Sequence, residues 1–531
     1  MDEIKNEVKQ IPQEKFAFVN SSAIIHDEKF ETKPIGYFRD AFRRFRKNKG
    51  SVVAAIIILF LVLFAFIVPL ASGNVARNER VSYYSKMGPR TTWGYNIGIN
   101  GSYKKDYNEN LLLNNYAIGV AAEYRYDAET NTEKHATFEE GKSSYYQPVV
   151  KLGDAFEVQQ GKTTKTLYYA NVDSYLSVGF IYVELTNDQY TKLVDFEKTV
   201  DYKIMYPMID TTSEYCFNPS DPNFWYATSK SNKTKGAPLD KSRHIQHLED
   251  GNVEFNDIYL RKDGVPQFYV RYGGGTEETA SYRVRVLYYN YYRYLYGSEP
   301  NYIFGTDSQG YDMAYRLATG MRLSFILSVL VSAINFVIGA LYGATEGYYG
   351  GAVDLILERV SDILVEVPFI VVATLFQLHL SSKVGPFPSL VFAFILTGWI
   401  GTASRVRSQF YRFKNSEYVF AARTLGASDM RVMWRHIFPN TLGTIITSSV
   451  LVIPGVIFSE SMLSYLGIIV LGTATSTSLG TLLSEASTLW ITYPHLMIFP
   501  AIVISLLMIC FNLFGNGLRD AFNPTLRGAD E

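Results

Sequence analysis

The stretch EYVFAARTLGASDMRVMWRHIFP, Glu417–Pro439, is polar, basic and helix-forming, yet it lies between two long apolar runs. Small side chains at Ala421 and Ala422 would let another surface come close to a helix backbone. Gly426 offers the permissive dihedrals needed to turn out of that helix. Pro439 has no amide hydrogen, so it is expected to end one element and tolerate the start of the next. A basic loop between membrane spans also satisfies the positive-inside rule with no further role. What surrounds the stretch decides between these meanings.

The chain has 531 residues, enough for several domains, and its mean hydropathy near zero averages very unlike regions. Six apolar runs stand out: Ser51–Ala71, Leu317–Ala344, Ile363–Leu380, Phe387–Ile400 with an extension to Ser404, Gly443–Leu471 and Pro494–Leu518. Most reach or approach the ~20 residues that cross a bilayer core, and the fourth is the interrupted one. The reading is six spans. Arg39, Arg43, Arg44, Arg46, Lys47 and Lys49 precede the first run, which places the N-terminus in the cytoplasm. Six spans then put Glu417–Pro439 inside, among Arg405, Arg407, Arg412, Lys414, Arg423, Arg431 and Arg435. The tail, with Arg519 and Arg527, falls inside as well. The first apolar run is too long and too far in for a cleavable signal and is expected to stay as an anchor.

This topology leaves residues 72–300 outside, between the first and second spans, and that is long enough for a domain. The stretch from Tyr83 to Tyr302 holds 30 of the 40 tyrosines. Alternating aromatic and β-branched residues in Thr166–Leu185 and Tyr282–Gly297 predict strands. Asp263-Gly264 and Gly273-Gly274-Gly275 predict hairpin turns between them. The expectation is a β-rich external domain.

Beyond it come FGTDSQGYDMAYRLATGMRLSF (Phe304–Phe325), EGYYGGAVDLILERVSDILVEVP (Glu346–Pro368), SESMLSYLGI (Ser459–Ile468), SLGTLL (Ser478–Leu483) and FNLFGNGLRDAFNPTLR (Phe511–Arg527). In this order, with the coupling-type stretch between them, they closely resemble the C-type permease subunit of oligopeptide and dipeptide ABC importers. The resemblance covers roughly residues 36–72 and 301–527. The chain departs from the family pattern at Phe420, His436 and Phe438, at Leu479-Gly480 and at Phe522-Asn523-Pro524; a His at 436 is usual in the peptide branch. The resemblance implies an α-helical membrane protein with six transmembrane helices of the type I importer fold. It divides the chain into a cytoplasmic segment 1–50, a first span 51–71, the external insert 72–300, a permease core 301–518 and a tail 519–531. Within the core it implies a cytoplasmic coupling loop at 405–440. Ala421, Ala422, Leu425, Gly426, Ala427, Ser428, His436 and Pro439 are the implied ATPase-coupling residues. The implied partners are a second permease subunit, two cytoplasmic ATPases that bind ATP and Mg, and an external substrate-binding lipoprotein delivering peptide. The implied place is a bacterial plasma membrane.

Other charged residues allow two readings. Asp354, Glu358, Asp362 and Glu366 recur every four residues along one helix face, with Arg359 three before Asp362. They form either a polar seam at the cytoplasmic mouth or a solvated helix start with local pairs, the second being preferred for Asp354. Depth in the membrane suggests that Glu460 pairs with Arg322. Arg322, Asp354, Arg359, Asp362 and Glu460 are the candidate pore or interface residues.

No catalytic or metal constellation is legible. His244 and His247 lack a third ligand. Gly141-Lys142-Ser143 and Gly161-Lys162-Thr163 lack the earlier glycine of a phosphate loop. Cys216 and Cys510 cannot pair on this topology. A net charge of −1 gives no general affinity for nucleic acid. The competing classes are a membrane-anchored surface receptor, for which six spans are superfluous, and a secondary transporter, which needs no ATPase loop.

Overall fold

A computed structural model describes residues 37–522 except 72–78, 135–144, 162, 214–215, 217, 226–257, 274–275, 277–278 and 473–476. The Gly-Lys strings in part, His244, His247 and the tail after Phe522 lie outside the described residues.

The chain begins with α1, Tyr37–Lys47, and the apolar α2, Lys49–Ala71. The insert then carries β1 (Ser102–Asn108), α3 (Glu109–Ala122), the short pair β2 (Arg125–Asp127) and β3 (Thr132–Lys134), β4 (Val149–Gln160), β5 (Thr163–Asp173), β6 (Phe180–Thr186) and α4 (Asn187–Glu197). Next come β7 (Met205–Tyr206), β8 (Arg261–Lys262), β9 (Val265–Pro266), β10 (Tyr269–Tyr272), β11 (Ser281–Leu287) and α5 (Tyr288–Tyr296). One sheet runs β1-β5-β4 and another β10-β11-β6, with β7 also on β11. Asp263 and Gly264 both take positive φ and close the β8–β9 hairpin, as the sequence predicts.

Tyr282–Gly297 does not stay a strand. Alternation holds through Leu287, where Tyr282 faces Leu185 and Val286 faces Ile181. From Tyr288 the tyrosines bury in pairs one helical turn apart, 288 and 289 with 291 and 292, and Gly297 caps the helix in the left-handed region. The insert core is correspondingly aromatic: Tyr84, Tyr124, Tyr175, Tyr206, Tyr289 and Tyr302 are almost fully buried. At its centre Arg90 meets Asp173 at 2.6 Å and donates to the Tyr289 hydroxyl at 2.8 Å. Burial pushes the Asp173 carboxyl up, while Arg90 pulls it down.

The membrane part contains α6 (Met313–Tyr349), α7 (Gly351–Val365), α8 (Phe369–Val384), α9 (Pro386–Phe413), the short α10 (Glu417–Thr424), α11 (Asp429–Tyr465), α12 (Leu479–Ala486) and α13 (His495–Phe522). Five helices, α2, α6, α9, α11 and α13, are long and apolar enough to cross a membrane, and α7 with α8 makes a sixth candidate bent by 74°. The third apolar run, not the fourth, is therefore the broken one. Pro368 has no amide to donate and holds its predecessor away from helical angles, so the helix stops at Val365 and restarts at Phe369.

The tightest pair is α6 with α9. Gly339, Gly343 and Gly347 form a stripe along α6, and a Cβ on Gly343 would stand 2.1 Å from the Ala403 carbonyl oxygen. A Cβ on Gly347 would stand 2.7 Å from the Arg407 carbonyl oxygen. Only hydrogen fits there, and the backbones touch. The spacing GxxxGxxxG was the available signal for this contact.

The segment before α6 locks the insert to the membrane part. Asp312 caps α6 by accepting the Ala314 amide at 2.8 Å, and Arg316 pairs with Asp307 at 2.8 Å. Asp307 accepts the Tyr311 amide at 2.8 Å, and Ser308 donates to Glu485 of α12 at 3.1 Å. His495, at the start of α13, donates from Nε2 to the Thr306 carbonyl at 3.1 Å.

Candidate functional site: a short basic helix and the clamp behind it

α10 is amphipathic in a small way. Val419 and Ala422, three apart, face inward; Val419 joins Phe410, Val432, Met433 and Ile437 in a buried cluster. Ala422 is 8 % exposed, whereas Ala421 is exposed. Successive helical residues point 100° apart, so the two alanines cannot share one open face. The approachable position is Ala421. Outward stand Phe420, Leu425 at 88 % exposure and Met430 at 63 %, and Arg423 and Arg431 are exposed as well. Bare apolar side chains grouped in this way are the kind of surface that a partner covers.

The helix ends as the sequence predicts. The Gly426 amide donates to the Arg423 carbonyl at 2.9 Å and the Ala427 amide to Ala422 at 3.0 Å, the paired bonds of a Schellman cap. Gly426 has φ 82°, and a Cβ there would meet nothing within 4 Å. Only backbone conformation demands glycine. Ser428, exposed, leads into Asp429, where α11 begins.

Pro439 does not end an element. Val432–Ile437 forms a wide turn in which the Phe438 amide reaches the Met433 carbonyl, five residues back, and helix continues to Val450. The wider turn relieves the clash that a proline ring makes with the carbonyl four residues earlier. His436 sits half-buried in it, its carbonyl accepting from Asn440 at 2.8 Å.

Behind α10 lies a chain of polar contacts. The Tyr348 hydroxyl at the end of α6 donates to Asp429, and the Arg423 guanidinium lies 5.2 Å from the Tyr348 ring centre. Lys414 donates to the Gly347 carbonyl at 3.0 Å. Arg407 grips Asp354 through two bonds of 2.6 and 2.8 Å and Glu358 through two of 2.8 and 3.0 Å. Tyr411 adds a bond to Asp354 at 2.6 Å. Asp354 is thus buried and clamped across two helices, not a solvated helix start. The sequence carried no sign that Arg407, 53 residues away, was its partner. Arg359 and Asp362 form only an exposed pair at 3.0 Å.

Glu460 and Arg322 do not pair. Glu460 is fully buried and accepts from Ser324 at 3.0 Å and Ser464 at 3.0 Å. Arg322, half-buried on α6 two residues before Ser324, makes no ion pair among the described residues. Residues two apart on a helix point 200° apart, so α6 can offer Glu460 its serine or its arginine, not both. Cys216 and Cys510 are both buried and are not joined in a disulfide.

Residues 335–528 match the family described as binding-protein-dependent transport system inner membrane component, and residues 36–87 match the N-terminal TM domain of oligopeptide transport permease C. Over 224 residues the chain is 40 % identical to the oligopeptide transport system permease protein OppC of Bacillus subtilis, covering 42 % of this chain and 72 % of that one. It is 38 % identical over 225 residues to the dipeptide transport system permease protein DppC of the same organism, covering 42 % and 69 %. The inward-facing MetNI methionine ABC transporter aligns with 40 % of this chain and 98 % of its own, at 15 % identity and a TM-score of 0.34.

Proposed function

The chain belongs to the family of binding-protein-dependent transport system inner membrane components, and from that premise we propose that it is half of the translocation pore of an ATP-driven importer of oligopeptides. Its own work is mechanical. A second permease subunit completes the pore, and two cytoplasmic ATPases bind ATP and Mg. The observation that carries this reading is the bare surface of Phe420, Leu425 and Met430 on α10 and the turn into α11, with the other face of α10 locked into the spans. An ATPase pressing there moves α10, and the Tyr348, Lys414 and Arg407 contacts pass that movement to α6, α9 and α7. The receptor alternative leaves this surface without a use.

Gly426 tests the coupling role. A Gly426→Val variant forces a β-branched residue into the left-handed region, at a cost of about 1–2 kcal/mol, and distorts the exit from α10. Uptake should fall at least fivefold while the protein still reaches the membrane. Gly426→Asn, which tolerates that conformation, should stay near the parental rate. Parental uptake by the Val variant, with ATPase subunits still bound, would remove the coupling assignment.

In our reading α7 and α8 act as one bent span, giving six, with both termini in the cytoplasm of a bacterial cell and the insert outside. A membrane-impermeant thiol reagent should then label a cysteine placed at Thr164 in intact cells and miss one placed at Ser428. Labelling at Ser428 inverts the topology. The insert, in turn, orients an external substrate-binding lipoprotein over the pore. Replacing residues 80–298 with a Gly-Ser linker should preserve ATPase assembly and weaken capture of the loaded binding protein; unchanged capture would sink that role.

A further inference from the structure

Between the insert and the start of α13 lies an open cavity of about 260 Å³ whose lining includes Ser85, Lys86, Tyr103, Lys105, Tyr107 and Tyr493 and no acidic residue. β1 supplies Tyr103, Lys105 and Tyr107 by alternation, so all three point to the same side of the sheet. Tyr493 precedes α13 and forms the facing wall, its ring edge-on to Tyr103 with centres 5.6 Å apart.

The two lysines converge on that wall. Lys105 Nζ lies 4.3 Å from the Tyr493 ring centre and Lys86 Nζ 5.9 Å from the same ring. Neither ammonium has a carboxylate partner among the described residues. Lys86 is held in place by its backbone. It stands at φ 60°, where side-chain-bearing residues rarely sit. Its amide donates to the Asp307 carbonyl at 2.8 Å, and its carbonyl accepts from the Tyr103 hydroxyl at 3.0 Å. Partial burial lowers the Lys105 ammonium from its ordinary range, in keeping with a charge that lacks a counter-ion. Two like charges facing one ring, in a lining without a carboxylate, form a site for an anion.

The space is small for a whole ligand and suits one end of a chain. Tyrosine faces beside two ammoniums fit an apolar side chain next to a carboxylate. We infer that this cavity receives the C-terminal carboxylate of a peptide at the outer mouth of the permease. This inference rests on the proposed importer reading.

The test uses the full complex, with its partner permease and ATPases in lipid nanodiscs and no binding protein, and compares trialanine with trialanine amide by saturation-transfer NMR. The free acid should bind at least tenfold more tightly than the amide. Lys105→Gln should erase that preference without changing amide binding, and Lys105→Arg should keep it. Circular dichroism and thermal unfolding of each variant report whether it is folded. Equal affinity for acid and amide, or a preference that survives in Lys86→Gln/Lys105→Gln, overturns the site. If the preference is absent and Lys105→Gln instead weakens capture of a binding protein, the cavity holds an acidic side chain of that protein and the peptide assignment falls. ATP-driven peptide uptake by the parental complex in sealed proteoliposomes, with a binding protein added back, separates the two levels. Its presence with no acid preference removes the site alone, and its absence for every peptide removes the importer reading.

Discussion

A Gly343→Leu variant is expected to lose the close α6–α9 contact and, with it, most of the stability of the membrane part. Even a Cβ at this position would stand 2.1 Å from the Ala403 carbonyl oxygen and 2.9 Å from its Cα, and backbone atoms cannot step aside as a side chain can. A leucine must therefore part the two helices along their length. The cost should be roughly 3 kcal/mol, the upper part of the usual range for overpacking. Thermal unfolding of the purified protein in detergent measures it. Gly455→Ala is the control, because a Cβ there meets nothing within 4 Å and alanine is the better helix former. A parental unfolding temperature for Gly343→Leu would show that the stripe does not hold these helices together.

Arg407→Met should produce the second largest effect, for an electrostatic reason. Removing the guanidinium leaves Asp354 and Glu358 as two like charges on one helix face, with Tyr411 alone among the described side chains still bonded to Asp354. Loss of one member of a buried pair costs about 3–5 kcal/mol. Asp354 side-chain exposure is 12 % and that of Glu358 is 41 %, so solvent screening brings the expectation to about 1–3 kcal/mol. Adding Asp354→Asn and Glu358→Gln should recover much of the stability, since no uncompensated charge remains. It should not recover uptake, because the link between α7 and α9 is still missing. A double-mutant cycle on unfolding and uptake separates the two effects. Uptake restored by the neutral triple variant would reduce the clamp to a structural pair.

What was legible in the chain was whatever depends on neighbours in sequence. Apolar runs of span length, basic residues beside them, and the Gly426 cap all follow from local composition and conformation. The Asp263-Gly264 hairpin did as well, because that turn needs two residues at positive φ. Misreadings arose where short-range pattern allowed two answers. Tyr282–Gly297 alternates for six residues and then switches to helical spacing, and tyrosine is at home in both. Ala421 and Ala422 are equally small, and only the cluster around Val419 decides which one faces inward.

By itself the sequence determined the class of the protein, where its long apolar segments lie and where the short basic helix α10 ends, because hydropathy, charge and cap chemistry act within a few residues. Tertiary structure alone decided who partners whom. Arg407 reaches Asp354 across 53 residues because Gly339, Gly343 and Gly347 let α6 and α9 touch, which brings α9 against the start of α7. Glu460 takes hydroxyls from Ser324 and Ser464 instead of Arg322 because the rotation of α6 presents one face and not the other. Such pairings depend on how helices are rotated and spaced against one another, and those quantities are set by packing in three dimensions.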